Sequence, residues 1–314
     1  MPRIRPLCTL LAAGSLTMLT GCGATAAGGD SEGGVTIGFV NGGTSPFHTC
    51  LQRAVEAEAK TEGAEVVVAN SNQNPATETS NLEDMISRQV DVVMVQTVNV
   101  DALAGDVAKA KGADIPIFLT SVITSDTTDI LGAVVIDLKE VGALDAGWVA
   151  DDAAGAKVEA GVIAGAPGAA SDLMSGGFTD ALPDNVSVVA NQPGMFNRAK
   201  AQDVADNMIQ AHPNLKYVFV ANEDMAFGAL QAFQSAGKDV RIVTANGADD
   251  GLAAVKDGRF AATVATSAND IGKLAVKNTL TLLKGGKVDK IANLPATLIT
   301  QENLSEAPQY CLKS

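Results

Sequence analysis

Residues 35–69 read VTIGFV (35–40), NGGTSPFHTCLQRAVEAEAKTEGA (41–64) and EVVVA (65–69). The first and last runs are continuously apolar and rich in β-branched side chains. Such runs suit strands of a parallel sheet that is covered on both faces. Between them, Phe47, Leu51, Ala54 and Val55 recur at helical spacing on one face. Ser45 is placed to cap that helix, with Pro46 at its first position. The stretch is therefore a βαβ unit. Working outward, the same kind of run recurs as DVVMVQ (91–96), IPIFL (115–119), VEAGVI (158–163), VSVVA (186–190), YVFVA (217–221), VRIVTA (240–245) and AATVA (261–265). Helical faces recur too, with Ala201, Val204, Ala205, Met208 and Ile209 on one and Ile271, Leu274, Ala275 and Leu282 on another. Asn197 is placed to cap the first of these. Repeated βαβ units imply a doubly wound α/β architecture. A chain of 314 residues has room for about two domains. The natural cut lies near Asp137, after the non-periodic stretch Thr120 to Asp129.

Composition narrows the function. Hydrophobic residues make up 46% and charged residues 18%, which is enough apolar material for sizeable cores. The formal net charge is −14, so nothing draws the whole chain toward nucleic acid or anionic lipid. His48 and His212 are the only histidines and no Cys-x-x-Cys occurs, so no metal site and no cofactor is expected. Ala164-Gly165-Ala166-Pro167-Gly168 follows a strand, yet it lacks the spacing of a dinucleotide or P-loop cradle. The simpler reading is that glycine permits a tight turn and close backbone approach to whatever fills a cleft. No Gly-x-Ser-x-Gly elbow is present. His212, before Pro213, suits a helix C-terminus. His48 stands at a strand-to-helix junction, where a pocket wall is a simpler role than a general base. Asp151-Asp152 and Asp249-Asp250 are expected at helix starts or on solvated faces. An enzyme is not expected.

The N-terminus has its own logic. Arg3 and Arg5 precede the apolar run Leu7 to Leu19, which is short of the ~20 residues of a spanning helix. Leu19-Thr20-Gly21-Cys22 resembles a bacterial lipobox, which implies a signal peptide over 1–21, acylation of Cys22 and a small-residue tether over 22–34. An ordinary secretion signal with a chance cysteine is the alternative. Cleavage before Cys22 removes two arginines and no acid, taking the net charge from −14 to −16. Cys50 and Cys311 then remain, either as a disulfide in an oxidising compartment or as two buried thiols.

Several phrases together resemble one family. They are TIGFVNGGTSPF (36–47), SNQNPATETSNLEDMI (71–86), IPIF (115–118), FNRAKAQDVADNMIQAHPNLKYVFVANEDMAFGALQAF (196–233), GADDGLAAVKDGRFAATVA (247–265) and ANDIGKLAVKNTLTLLKGGKV (268–288). The chain resembles the ribose-binding-protein family of ABC-importer solute-binding proteins. The same core occurs in lac-repressor-type regulators, but a lipoprotein-like signal stands here in place of their helix-turn-helix. The resemblance implies two doubly wound, Rossmann-like α/β lobes joined by a three-strand hinge, the type I periplasmic binding protein fold. The first lobe would comprise 35–136 plus 267–295, and the second 137–266 plus 296–314 with the tail. Crossings would lie near Asp137, Thr266 and Pro295, with a ligand trapped between the lobes by hinge closure.

Residue by residue, the resemblance implies a ligand site at Ser45, Phe47, His48, Ser121, Val122, Asp137, Met174, Phe196, Asn222, Asn246 and Thr266. Phe47 and Phe196 match the family's aromatic faces, and Asn222 matches its ligand-bonding Asn. The departures are larger. Ser121 and Val122 replace an Asp-Arg pair, Met174 replaces a pocket Arg, Asn246 an Asp and Thr266 a Gln. With these charges gone, the expected ligand is a small neutral solute: a polyol, a deoxy-sugar or a sugar, or a less hydroxylated heterocycle such as a nucleoside. The expected setting is the outer face of the bacterial cytoplasmic membrane. The protein would be held there only by the lipid, as a monomer that hands its solute to an ABC permease. A receptor for a membrane sensor kinase is the alternative partner class. Nucleic acid is not an expected partner.

Overall fold

The computed structural model describes residues 34–313. The expected signal, Cys22 and all of the tether before Gly34 lie outside them. The first half of the chain forms β1 (Thr36–Asn41), α1 (Pro46–Thr61), β2 (Glu65–Asn70), α2 (Pro75–Ser87), β3 (Val92–Val95), α3 (Val100–Gly112), β4 (Ile117–Ser121) and β5 (Gly132–Ile136). There follow α4 (Leu138–Ala153), β6 (Val158–Ala164), α5 (Ala169–Ala181), β7 (Val186–Pro193), α6 (Arg198–Ala211), β8 (Leu215–Val220) and α7 (Glu223–Ser235). The chain closes with β9 (Arg241–Asn246), α8 (Asp249–Lys256), β10 (Ala262–Ala265), α9 (Ala268–Leu283), β11 (Ile291–Leu294) and β12 (Thr297–Ile299).

Two six-stranded sheets result, in the orders β2-β1-β3-β4-β5-β11 and β7-β6-β8-β9-β10-β12. All pairings are parallel except β10 with β12. Both sheets show the same doubly wound order, which reverses direction at β1/β3 and at β6/β8. Crevices that open at the strand carboxyl ends beside such reversals are where ligands sit in this architecture. The chain passes between the sheets at Asp137, across Thr266–Ser267, and across Pro295–Ala296.

Sequence pattern explains the layers. The strands β3, β4, β5 and β10 are buried along their whole length, as their uninterrupted apolar runs require. Phe39 and Phe118 fill the first core, and Phe178 stacks on Phe219 in the second at a ring separation of 4.9 Å. Helices pack through small residues. A Cβ on Gly142 would lie 2.0 Å from the Met174 carbonyl oxygen, which is why α4 and α5 approach so closely. Asp152 keeps the exposed position expected of it, but it is not free of partners. Near the end of α4 it accepts the Tyr217 hydroxyl at 2.7 Å and pairs with Arg241 at 2.6 Å. The Arg241 guanidinium in turn lies 4.6 Å from the ring centre of Trp148.

Of the two expected caps, one changes. Ser45 occupies the cap position of α1, but its hydroxyl makes no cap bond and turns to the His48 ring. Asn197 does cap α6, accepting the Lys200 N–H. The tail does not stay wholly with the second sheet. Ser267 Oγ donates to the Gln309 carbonyl at 2.7 Å, Asn269 N–H donates to that of Tyr310, and Tyr310 is buried. A disulfide then joins Cys311 to Cys50 of α1. The tail is thus a fourth connection from the second sheet back to the first.

Candidate ligand-binding site

A cavity of about 100 Å³ lies between the carboxyl edges of the two sheets. Ser45, Phe47, His48, Gln73, Gln96, Ser121 and Val122 reach it from the start of α1 and from loops and strand ends of the first sheet. Leu138, Val141, Ala166, Pro167, Ala170, Met174, Phe196, Asn222 and Asn246 reach it from the second, and Thr266 from a crossing. Among the described residues, no Asp, Glu, Lys or Arg lines it.

Ten of the residues singled out from the sequence therefore share one cavity, and Asp137 does not. Its exposed carboxylate caps α4, accepting the N–H groups of Lys139 and Glu140 at 3.0 Å each. The physical reason is position: as the last residue before a helix it satisfies orphan amides instead of facing the cavity.

Backbone conformation is unusual at this wall. Gln73, Ser121, Phe196 and Asn246 are non-glycine residues with φ of 59°, 70°, 50° and 139°. Such conformations cost free energy and cluster where structure serves a site. The strain turns side chains at strand ends into the crevice. Phe196 also needs the glycine turn expected to allow close approach. A Cβ on Gly165 would lie 2.1 Å from its ring, so the ring itself occupies that space.

His48 is the centre of a neutral network. It is buried, and burial pushes its imidazole down to about 4, against a smaller upward pull from Gln96. The ring is therefore uncharged at neutral pH. Gln96 Oε1 accepts the Gly42 N–H at 3.1 Å and lies 3.1 Å from His48 Nε2. An oxygen there requires Nε2 to carry the proton, which leaves Nδ1 bare. Ser45 Oγ, 2.7 Å from Nδ1, is then the donor in that pair. Opposite, Asn222 Oδ1 caps α7 by accepting the Met225 N–H at 2.9 Å. Asn246 Oδ1 accepts the Glu223 N–H at 3.4 Å. Ser121 Oγ is buried and has no hydrogen-bond partner among the described residues.

Behind this wall sits a buried acid. Glu223 accepts from Gly247 N–H at 2.8 Å, Ala248 N–H at 2.9 Å and the Thr263 hydroxyl at 2.7 Å, and so fixes the loop that carries Asn246. Burial pushes its carboxyl up to about 7, while these bonds pull it down and Asp250 adds a smaller push upward. Asp145 of α4 is fully buried with neither oxygen bonded, and burial followed by the nearby Glu223 raises its pKa well above the ordinary range.

Sequence reasoning missed Gln73, Gln96 and most of the apolar wall on α4 and α5. Gln96 was within reach, since it closes the run DVVMVQ and strand carboxyl ends line such crevices. Gln73 sits in the loop after β2 and carried no comparable signal.

Comparison with known proteins agrees with the architecture. The periplasmic binding protein domain matches residues 37–287. The chain is 32% identical over 271 residues to the ribose import binding protein of Bacillus subtilis (strain 168), covering 86% of this chain and 87% of that protein. It is 32% identical over 316 residues to the xylitol-binding protein of Mycolicibacterium smegmatis, covering 96% and 87%. Among solved structures, an ABC transporter solute-binding protein from Bacillus halodurans with bound myo-inositol aligns at a TM-score of 0.83 and 25% identity, covering 88% of this chain and 98% of that one.

Proposed function

This chain belongs to the periplasmic binding protein family of ABC sugar importers, and we propose that it captures one small neutral, carbohydrate-like solute between its two lobes and delivers it to an importer. The observation that carries the reading is the cavity. It is shared by the carboxyl edges of both sheets and lined with amides, hydroxyls and two aromatic rings, without one ionised side chain. A charged ligand entering it would lose its hydration with nothing to replace it. A neutral ring or chain can lay an apolar face on Phe196, Met174 and Val141 while its oxygens face Gln96, Ser121 and Asn222.

In this reading, residues 35–136 with 267–295 move against 137–266 with most of 296–314, hinging at Asp137, Thr266 and Pro295. A ligand drives closure only through contacts with both lobes, here Phe47 and His48 on one side and Phe196 and Asn222 on the other. The protein acts as a monomer at the outer face of the cytoplasmic membrane, held there by a lipid on Cys22. Loss of acylation in a Cys22→Ala variant checks the anchor, and unchanged acylation would refute it.

A thermal-shift screen of the mature protein against polyols, pentoses, hexoses, deoxy-sugars and nucleosides tests the function. A ligand of the native state at 100 times its dissociation constant adds about 2.7 kcal/mol of stability. A hit among these neutral compounds supports the proposal. Hits confined to amino acids or phosphorylated compounds would overturn it.

A further inference from the structure

One buried acid stands behind the first-sheet wall of the cavity. Glu78 lies in the first turn of α2, is 1% exposed and does not itself line the cavity. One of its carboxyl oxygens accepts the Thr97 hydroxyl at 2.7 Å, and the other accepts the Val98 N–H at 2.6 Å. Thr97 Oγ1 in turn accepts the Asn99 N–H at 3.2 Å. A single side chain thus fixes the backbone that leads from β3 into α3. Without it, the buried Val98 N–H and Thr97 hydroxyl lose their acceptor.

The segment held this way does two things. Thr97 and Val98 both line the cavity from the first sheet. Val98 also meets the half of the molecule built on the second sheet. Its carbonyl oxygen lies 2.9 Å from the point where a Cβ on Gly168 would stand. Gly168, between β6 and α5, lines the cavity as well, and its φ of 149° independently favours glycine. It is also the residue before α5, where an oxygen meets the positive end of the helix. The 97–98 segment is therefore a lip of the first half that rests on the second, at the wall of the cavity they share.

We infer that Glu78 is a positioning residue of the ligand site, which acts through Val98 by holding this lip where it closes onto Gly168 over a bound solute. The inference rests on the binding function proposed above. It adds a residue that sets affinity without touching the ligand, as Glu223 fixes the loop of Asn246 on the other side.

Titration calorimetry of the mature protein with ribose, xylitol and myo-inositol tests this, and the probe that the native protein binds most tightly is carried through a series of variants. Glu78→Met keeps the length and helix propensity of the side chain but removes both acceptors. It should still unfold cooperatively in urea and should lose affinity tenfold or more; Glu78→Ala takes its place if it does not fold. Glu78→Gln keeps an oxygen for the Val98 N–H, and the Thr97 hydroxyl can turn to accept from the new NH2 group, so its affinity should lie within about threefold of native. Gly168→Ala sets a methyl against the Val98 carbonyl and should also cost tenfold or more. In the Gly168→Ala background, Glu78→Met should cost less than about threefold, because the contact it serves is already lost. Damage to α2 alone would give no such coupling. Native affinity in Glu78→Met or in Gly168→Ala, a Glu78→Gln variant as weak as Glu78→Met, or losses that multiply in the double variant would each overturn the inference and leave the binding function standing. No binding of any probe by native protein that unfolds cooperatively would overturn inference and function together.

Discussion

Replacing Glu223 by Gln should change how the stability of this protein depends on pH. The folded protein holds the Glu223 carboxyl at about 7, against an ordinary 4.5. Between those two values the folded state binds the proton and the unfolded state has released it, so stability falls as pH rises. At about 1.4 kcal/mol per pH unit, the fall amounts to about 3 kcal/mol by pH 8.5. His48 acts in the opposite sense. Its folded value of about 4 lies below the ordinary 6.5, so its contribution is lost as pH falls through that interval. In the native protein the two slopes oppose each other between pH 4.5 and 6.5. In Glu223→Gln the falling slope of Glu223 is gone, while the rising slope of His48 stays. The substitution has its own cost. Gln can keep an oxygen for Gly247 and Thr263, but its NH2 then faces the Ala248 N–H, an unpaired donor worth about 1–3 kcal/mol. Urea denaturation at fixed ionic strength should therefore find the variant less stable at pH 4.5. By pH 8.5 the gap should close or reverse, moving by about 3 kcal/mol. A gap that moves by less than about 1 kcal/mol across that range would refute the assignment of Glu223 as a buried, proton-binding acid.

Three further substitutions have defined outcomes. Cys311→Ser opens a disulfide with a sequence separation of 261, for which the chain-entropy account gives a ceiling of about 5.6 kcal/mol; equal urea midpoints for variant and oxidised native protein would contradict it. Asp137→Ala removes the α4 cap and should cost about 1 kcal/mol of stability while ligand affinity stays the same. A tenfold loss of affinity would place Asp137 back in the cleft. Gly165→Ala puts a methyl where the Phe196 ring lies and should weaken ligand binding at least tenfold by displacing that ring, and calorimetry showing native affinity would contradict that.

The sequence spoke clearly where one physical requirement dominated. The nine runs from VTIGFV to AATVA are all strands, and in the central ones the reason is that a strand buried on both faces can tolerate little but apolar residues. β5, β11 and β12 escaped notice for a related reason. GAVVI opens on glycine after an aperiodic stretch, IANL is a short half-polar edge strand, and TLI is a three-residue antiparallel edge. The residues that a resemblance offered, Asp137 aside, line one cavity, whereas Gln73 and the α4–α5 wall depend on how loops and helices pack. Local chemistry misled at Ser45 and Asp137. A serine before Pro46 looks like a cap, yet its hydroxyl is drawn to a neutral histidine three residues on. Asp137 came with the resemblance as a ligand residue, yet it stands just before α4 and the helix amides claim it.

The most direct measurement is a calorimetric comparison, on the mature protein, of neutral sugars and polyols with their charged counterparts: ribose with ribose 5-phosphate, glucose with glucuronate, xylitol with its phosphate. Among the described residues, none that lines the cavity is ionised and able to offset a buried charge. The account predicts binding within the neutral set and a loss of at least a hundredfold on adding the charge. A charged member that binds as tightly as its neutral parent would contradict it.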